Sequence, residues 1–153
     1  MPSPISGDLP LGKAAEYATT YTPSLLRSIE RSHQRAPIGI FGPLPFHGED
    51  VWTCYELSWL NPKGRPDAAI LKLRVPCNSP CLIESKSLKL YLNSFAQTVF
   101  GTRAEVVTTL TSDLTVAARA PVIINLIDAD QPPEPIGKPT RLTRRCGPLL
   151  RKG

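Results

Sequence analysis

Two stretches near the middle of the chain alternate between apolar and polar residues. In "VWTCYELSWL", Val51, Thr53, Tyr55, Leu57 and Trp59 fall on one side and Trp52, Cys54, Glu56 and Ser58 on the other, the period of a half-buried strand. In "DAAILKLRV", Ala69, Leu71, Leu73 and Val75 are expected to face inward while Lys72 and Arg74 face water. The intervening "NPKGRP" is rich in residues that supply fixed or positive φ, so the two strands predict a β-hairpin. In "LIESKSLKLYLNSF" the period changes: Leu88, Tyr91, Leu92 and Phe95 recur as one face of a helix. A second helix follows, opened by the capping box "TRAE" at Thr102 to Glu105 and lined by Val106, Leu110 and Leu114. The apolar run "PVIINLIDA" then reads as a third strand, continuous enough to be central. Upstream, residues 1–45 read as irregular apart from a short helix predicted at "TPSLLRSIERS", with Thr22 as cap and Leu25, Leu26 and Ile29 on one face.

The order strand, strand, helix, helix, strand predicts an α+β fold, with two helices packed on one face of an antiparallel sheet. Composition refines this. A chain of 153 residues with 41% hydrophobic and 20% charged residues has the makeup of one globular domain. Its 17 prolines gather before Pro45, around Pro62 to Pro66 and from Pro132 onward, leaving the middle free for regular structure. The division is therefore an irregular segment at 1–45, a folded module at 46–128 and a Pro-rich basic tail at 129–153.

Charge follows the same division. Of the net +5, the six cations Lys138, Arg141, Arg144, Arg145, Arg151 and Lys152 carry +6, leaving −1 for everything before them. A basic tail on a near-neutral domain reads as a solvated extension, and nucleic acid is not the expected partner. No apolar run reaches the roughly 20 residues that span a bilayer, and "MPSPISGDLPLGK" lacks the basic start and apolar centre of a signal peptide. A cytoplasmic location is expected. The four cysteines, Cys54, Cys77, Cys81 and Cys146, then default to free thiols, and with only His33 and His47 beside them no metal site is expected.

The start of the first long helix is where chemistry concentrates. Glu84, Ser85, Lys86 and Lys89 crowd its first turns. In one reading this is an ordinary capped helix: Ser85 or Ser87 caps, the lysines are solvated and Glu84 favours the dipole. In the other, the unpaired N–H groups with Ser85 and Lys86 hold a phosphate-bearing cofactor, while Glu84 accepts a pair of N–H groups from a planar nitrogenous ring.

The stretches "GEDVWTCYELSWLNPKGRPDAAI" and "LIESKSLKLYLNSFAQTVF", with "LGK", "PSLLRSI", "IGI" and "LPFHGED" before them, resemble one family. It is the NADPH-dependent 7-cyano-7-deazaguanine reductases, the nitrile reductases of queuosine biosynthesis in tRNA, in their long two-module form. "ESKSLK" is that family's signature, and the likeness runs from about Leu11 to about Asp128. The resemblance implies a tunnelling fold like that of GTP cyclohydrolase. It also implies contacts from Ile83, Glu84 and Ser85 to the deazaguanine and from Ser85 and Lys86 to NADPH.

Such enzymes attack the nitrile with a cysteine thiolate to form a thioimide, which is reduced by NADPH twice, through an imine. An Asp supplies protons and a His-Glu pair closes over the base. Aligned through the "G-x-P-D" turn with the short, one-module form, this chain has Leu60 at the nucleophile position and Asp67 at the proton-donor position. Thr102 and Arg103 stand near the place of the His-Glu pair. Leu60 cannot attack a nitrile, and Asp67 without its cysteine reads as a turn residue. None of the four cysteines is a convincing substitute.

In two-module enzymes the second module carries the missing groups. The resemblance therefore implies the N-terminal substrate- and cofactor-binding module, without a catalytic residue of its own. It implies a catalytic module in trans or in a longer parent chain, and a homo-oligomer. Truncation, frameshift and a split gene all remain open. Two other readings stand beside this one: a non-catalytic purine- or pterin-binding module of the same fold, and a nucleic-acid-associated protein working through residues 138–153.

Overall fold

A computed structural model describes residues 18–131. The basic segment and Cys146 lie outside them. The hairpin expected from the alternating stretches is present: β2 (Glu49–Leu60) pairs antiparallel with β3 (Pro66–Pro76). Its turn is closed by Asn61, whose N–H donates to the Arg65 carbonyl (2.8 Å) and whose Oδ1 accepts from the N–H groups of Lys63 and Arg65. Gly64 adopts φ 71° there, a conformation that glycine reaches without a Cβ clash. Asp67, read as a turn residue, instead sits in β3 opposite Trp59.

The alternation in β2 does not run through as written. Cys54 pairs with Leu71 and Leu57 with Ala69, so Tyr55 and Glu56 share the place opposite Ile70. This β-bulge reverses the faces from there on. Trp52 and Cys54 before it and Leu57 and Trp59 after it all meet the core, whereas Val51 and Tyr55, expected on the side of Leu57, are 59% and 69% exposed.

The third strand, β5 (Ile123–Asp128), pairs with β3 and not with β2, giving the sheet order β2-β3-β5. β3 is therefore the central strand, and its Ala69, Leu71, Leu73 and Val75 are fully buried. β5 was expected to be central but is an edge: Ile124 and Leu126 pack on the core while Ile123 is exposed.

Helices α2 (Ser85–Asn93) and α3 (Arg103–Ala118) lie on the face of the sheet that β3 buries, as the order of strands and helices along the chain predicts. α2 contributes Leu88, Tyr91 and Leu92 to the core, and α3 contributes Val106, Leu110 and Leu114. The N-cap forms as expected, with Thr102 Oγ1 accepting from the Glu105 N–H at 3.1 Å, while Glu105 reaches one residue past the cap to accept from the Gly101 N–H at 2.7 Å. No helix among the described residues is long and apolar enough to cross a membrane.

The segment before residue 46 departs most from expectation. In place of the helix at "TPSLLRSIERS" there is a single 3₁₀ turn (Pro23–Leu25), a short strand β1 (Ser28–Glu30) and a short helix α1 (Arg31–Arg35). β1 pairs antiparallel with β4 (Cys81–Ile83). Tyr21 stacks edge-on against Tyr91, Phe95 and Phe100, and its hydroxyl, like that of Tyr91, donates to Asp113 Oδ2 (2.6 and 2.7 Å). These residues are thus part of the same packed unit as residues 46–128. Burial and the Asp113 carboxylate both push the two phenols well above the ordinary tyrosine range.

Candidate functional site

The sequence concentrates its chemistry where β4 runs into α2, with a single residue between them. Glu84 is that residue. Its N–H still belongs to the β1–β4 ladder, donating to the Arg27 carbonyl at 2.9 Å, while its carbonyl accepts the first helical bond from Leu88 at 3.0 Å. The backbone at φ −69°, ψ 132° makes it the N-cap of α2. Its carboxylate folds back over the helix start: Oε1 accepts from the Lys86 N–H (3.0 Å) and Oε2 from the Ser87 N–H (2.7 Å). Capping thus falls to Glu84 and not to Ser85 or Ser87. Ser87 is buried and locks the junction from beneath, its Oγ donating to the Glu84 carbonyl and accepting from the Arg27 N–H.

Glu84 is 5% exposed, which bears on what it can still do. Each carboxylate oxygen offers two lone pairs, and one N–H on each leaves a second acceptor direction per oxygen. Ile83, beside it, is 2% exposed with its side chain in the core. Ser85 is exposed and Lys86 half-buried at the head of the helix. The structure therefore places Ile83, Glu84, Ser85 and Lys86 consecutively at one strand-to-helix junction, but presents them differently: one apolar and internal, one capping, one exposed and one half-buried.

Ser85 opens onto a cleft of about 280 Å³ between α2 and β2. One wall is the outer face of the helix, Ser85, Lys89 and Asn93 at successive turns, and the other is the Trp52–Glu56 segment of β2 that includes the bulge. Lys89 Nζ and Glu56 Oε2 meet across it at 3.6 Å, both exposed. Neither the bulge nor this pairing was foreseen. Glu56 carries no turn residue or glycine beside it that would announce a bulge, and its approach to Lys89 depends on how the helix packs.

The positions aligned with catalytic groups are far from reactive. Leu60 ends β2, with its N–H donating to the Thr98 carbonyl and its carbonyl accepting from Phe100, both at 2.9 Å. Thr102 caps α3 and Arg103 pairs with Asp128. Cys54 lines the cleft, but burial and then the charge of Glu56 raise its thiol above the ordinary range, against thiolate formation. Cys81 is buried in β4, and Cys77 is half-buried with its carbonyl held by Arg35 (2.6 Å).

Residues 17–126 match the model of the family described as nitrile reductase, 7-cyano-7-deazaguanine-reductase N-term. The chain belongs to this nitrile reductase family. It is 55% identical over 118 residues to a relative from Dechloromonas aromatica (strain RCB) named NADPH-dependent 7-cyano-7-deazaguanine reductase. That match takes in 76% of this chain and 42% of the relative, so the chain spans about two fifths of the longer protein's length. The nitrile reductase match includes the whole of the β4–α2 junction and the cleft beside it.

Proposed function

We propose that this chain supplies the N-terminal ligand-binding module of an NADPH-dependent reductase that converts 7-cyano-7-deazaguanine to its aminomethyl product, in the cytoplasm, for tRNA queuosine biosynthesis. The observation that carries this is the β4–α2 junction, where a helix start capped by Glu84 sets the exposed Ser85 on the wall of an open cleft, with the half-buried Lys86 next in the chain. Glu84 organises the junction and lends the remaining lone pairs of its carboxylate to the N–H groups of the deazaguanine. Ile83 contributes by holding that backbone against the core.

The donor set at the helix head fits an anionic cofactor. The Ser85 hydroxyl and the Lys86 ammonium are groups that phosphate oxygens accept from, while the N–H groups of Lys86 and Ser87 at the helix start are already taken by the Glu84 carboxylate. NADPH, when bound, supplies hydride to the nitrile carbon. The chain's own residues bind and orient, since Leu60 has no nucleophile to offer and Cys54 is held as a thiol. The attacking thiolate, the proton donor and the His-Glu pair then come from a catalytic module in trans or in a longer parent chain. Both β2 and β5 are sheet edges, which supports an assembly of several copies that covers them.

The test follows NADPH absorbance after adding 7-cyano-7-deazaguanine to the purified chain. No oxidation is expected from the chain alone, and turnover is expected once a separately expressed catalytic module is added. Turnover by the chain alone would overturn the assignment of Leu60 to the nucleophile position.

A further inference from the structure

The β1–β4 ladder has a second end. At one end Glu84 bonds to Arg27; at the other the Arg31 N–H donates to the Pro80 carbonyl at 3.0 Å, and a separate cleft of about 430 Å³ opens there. Three arginines line it: Arg31 and Arg35 from α1, and Arg119 from the C-terminal end of α3. Glu30 is the one acidic residue in its wall.

The cleft is built, because its innermost arginine is fixed. Arg31 is 7% exposed, with Nε donating to Ser79 Oγ at 3.1 Å and Nη2 bonded to Asp50 on β2. Arg35 is held by the Cys77 carbonyl and lies 5.7 Å from the centre of the Phe46 ring. Arg119 pairs with Glu30 at 3.4 Å. A guanidinium carries five N–H donors, so these bonds leave most of the donors on all three side chains unspent.

Arg119 adds an independent sign. It is the one non-glycine among the described residues with positive φ, 54°, at the cap where glycine is the usual residue. Any side chain at that φ carries a backbone cost of about 1 kcal/mol. Phe41, 71% exposed, stands on the wall of the same cleft. An exposed aromatic ring on a wall shared with three arginines matches an anion with a planar organic part.

We propose that this cleft binds the phosphate groups of a nucleotide, with Arg35 and Arg119 as phosphate ligands, Arg31 as the fixed floor and Phe41 against the base. The site is distinct from the α2 junction, and its occupancy does not depend on nitrile reduction. Calorimetric titration of the full chain with inorganic pyrophosphate and with ADP tests it. Saturable binding of both is expected, weakened about tenfold or more by Arg35→Gln and by Arg119→Gln, each a loss of charge-assisted bonds. Phe41→Ala is expected to weaken ADP and leave pyrophosphate unchanged, and Lys63→Gln, exposed in the β2–β3 turn and on the wall of neither cleft, to change neither. Circular dichroism melts of each variant separate lost binding from lost folding. No saturable binding at millimolar concentrations would overturn the proposal. So would binding that survives in the folded Arg35→Gln, Arg119→Gln double variant, or that is abolished by Lys86→Gln in its place.

Discussion

Removing the Glu84 carboxylate should cost stability whatever ligand the module binds. In Glu84→Ala the N–H groups of Lys86 and Ser87 lose acceptors at 3.0 and 2.7 Å. Exposed N-caps contribute about 0.5–2 kcal/mol on truncation, and water recovers part of that loss. Here the residue is 5% exposed and the acceptor is charged, so the two N–H groups are poorly compensated when it is removed. The expected loss is therefore at the upper end, about 2 kcal/mol, or a factor of roughly 30 in the folded-to-unfolded ratio. Frayed helix would also loosen Leu88, Tyr91 and Leu92 from the core. Urea unfolding followed by circular dichroism measures this directly, with an unchanged slope showing that the transition remains two-state. Glu84→Asp, a good N-cap, should recover about half of the loss while shortening the reach to a ligand. A Glu84→Ala midpoint indistinguishable from that of the unchanged protein would refute the capping argument. A stable Glu84→Asp variant that binds 7-cyano-7-deazaguanine undiminished would instead refute the carboxylate's role toward the base.

Other outcomes follow from the same geometry. Asp113→Ala leaves the Tyr21 and Tyr91 hydroxyls without their shared acceptor and is expected to cost about 1–3 kcal/mol in urea unfolding. Because both phenols are raised in the fold above the ordinary value of 10.0, the stability they confer is complete below that pH and declines as pH rises past it. Unfolding midpoints between pH 8 and 11 should show the decline, and Tyr21→Phe should reduce it. Arg119→Gly relieves the left-handed cap and gives up only an exposed ion pair, so it should raise stability by about 0.5 kcal/mol in the same assay. Cys54, held as a thiol by burial and Glu56, should react with iodoacetamide near neutral pH more slowly than it does in the unfolded chain.

The elements legible in the sequence are those whose causes are local. Leu88, Tyr91 and Leu92, then Val106, Leu110 and Leu114, repeat at helical spacing, and each set is buried. Thr102 caps the N–H of Glu105 as their spacing requires, and Asn61 and Gly64 make the turn that joins β2 to β3. Glu84, Ser85 and Lys86 stood out because charge and hydroxyl gather at one helix start, a pattern confined to a few neighbouring residues.

What tertiary structure decided depends on partners distant along the chain. β1 exists because it pairs with β4, some fifty residues later, and three residues of strand cannot persist without that ladder. Tyr21 joins the core through Asp113, and Arg31 is buried because Asp50 and Ser79 meet it. The apolar run of β5 promised a central strand, but position in a sheet is set by which neighbours form, and only β3 pairs with it. The bulge at Tyr55 and Glu56 changes which side of β2 faces the core without changing its composition. Periodicity records how a segment can bury itself; the pairing of remote segments decides which face is buried, which edge is open and which side chains share a cleft.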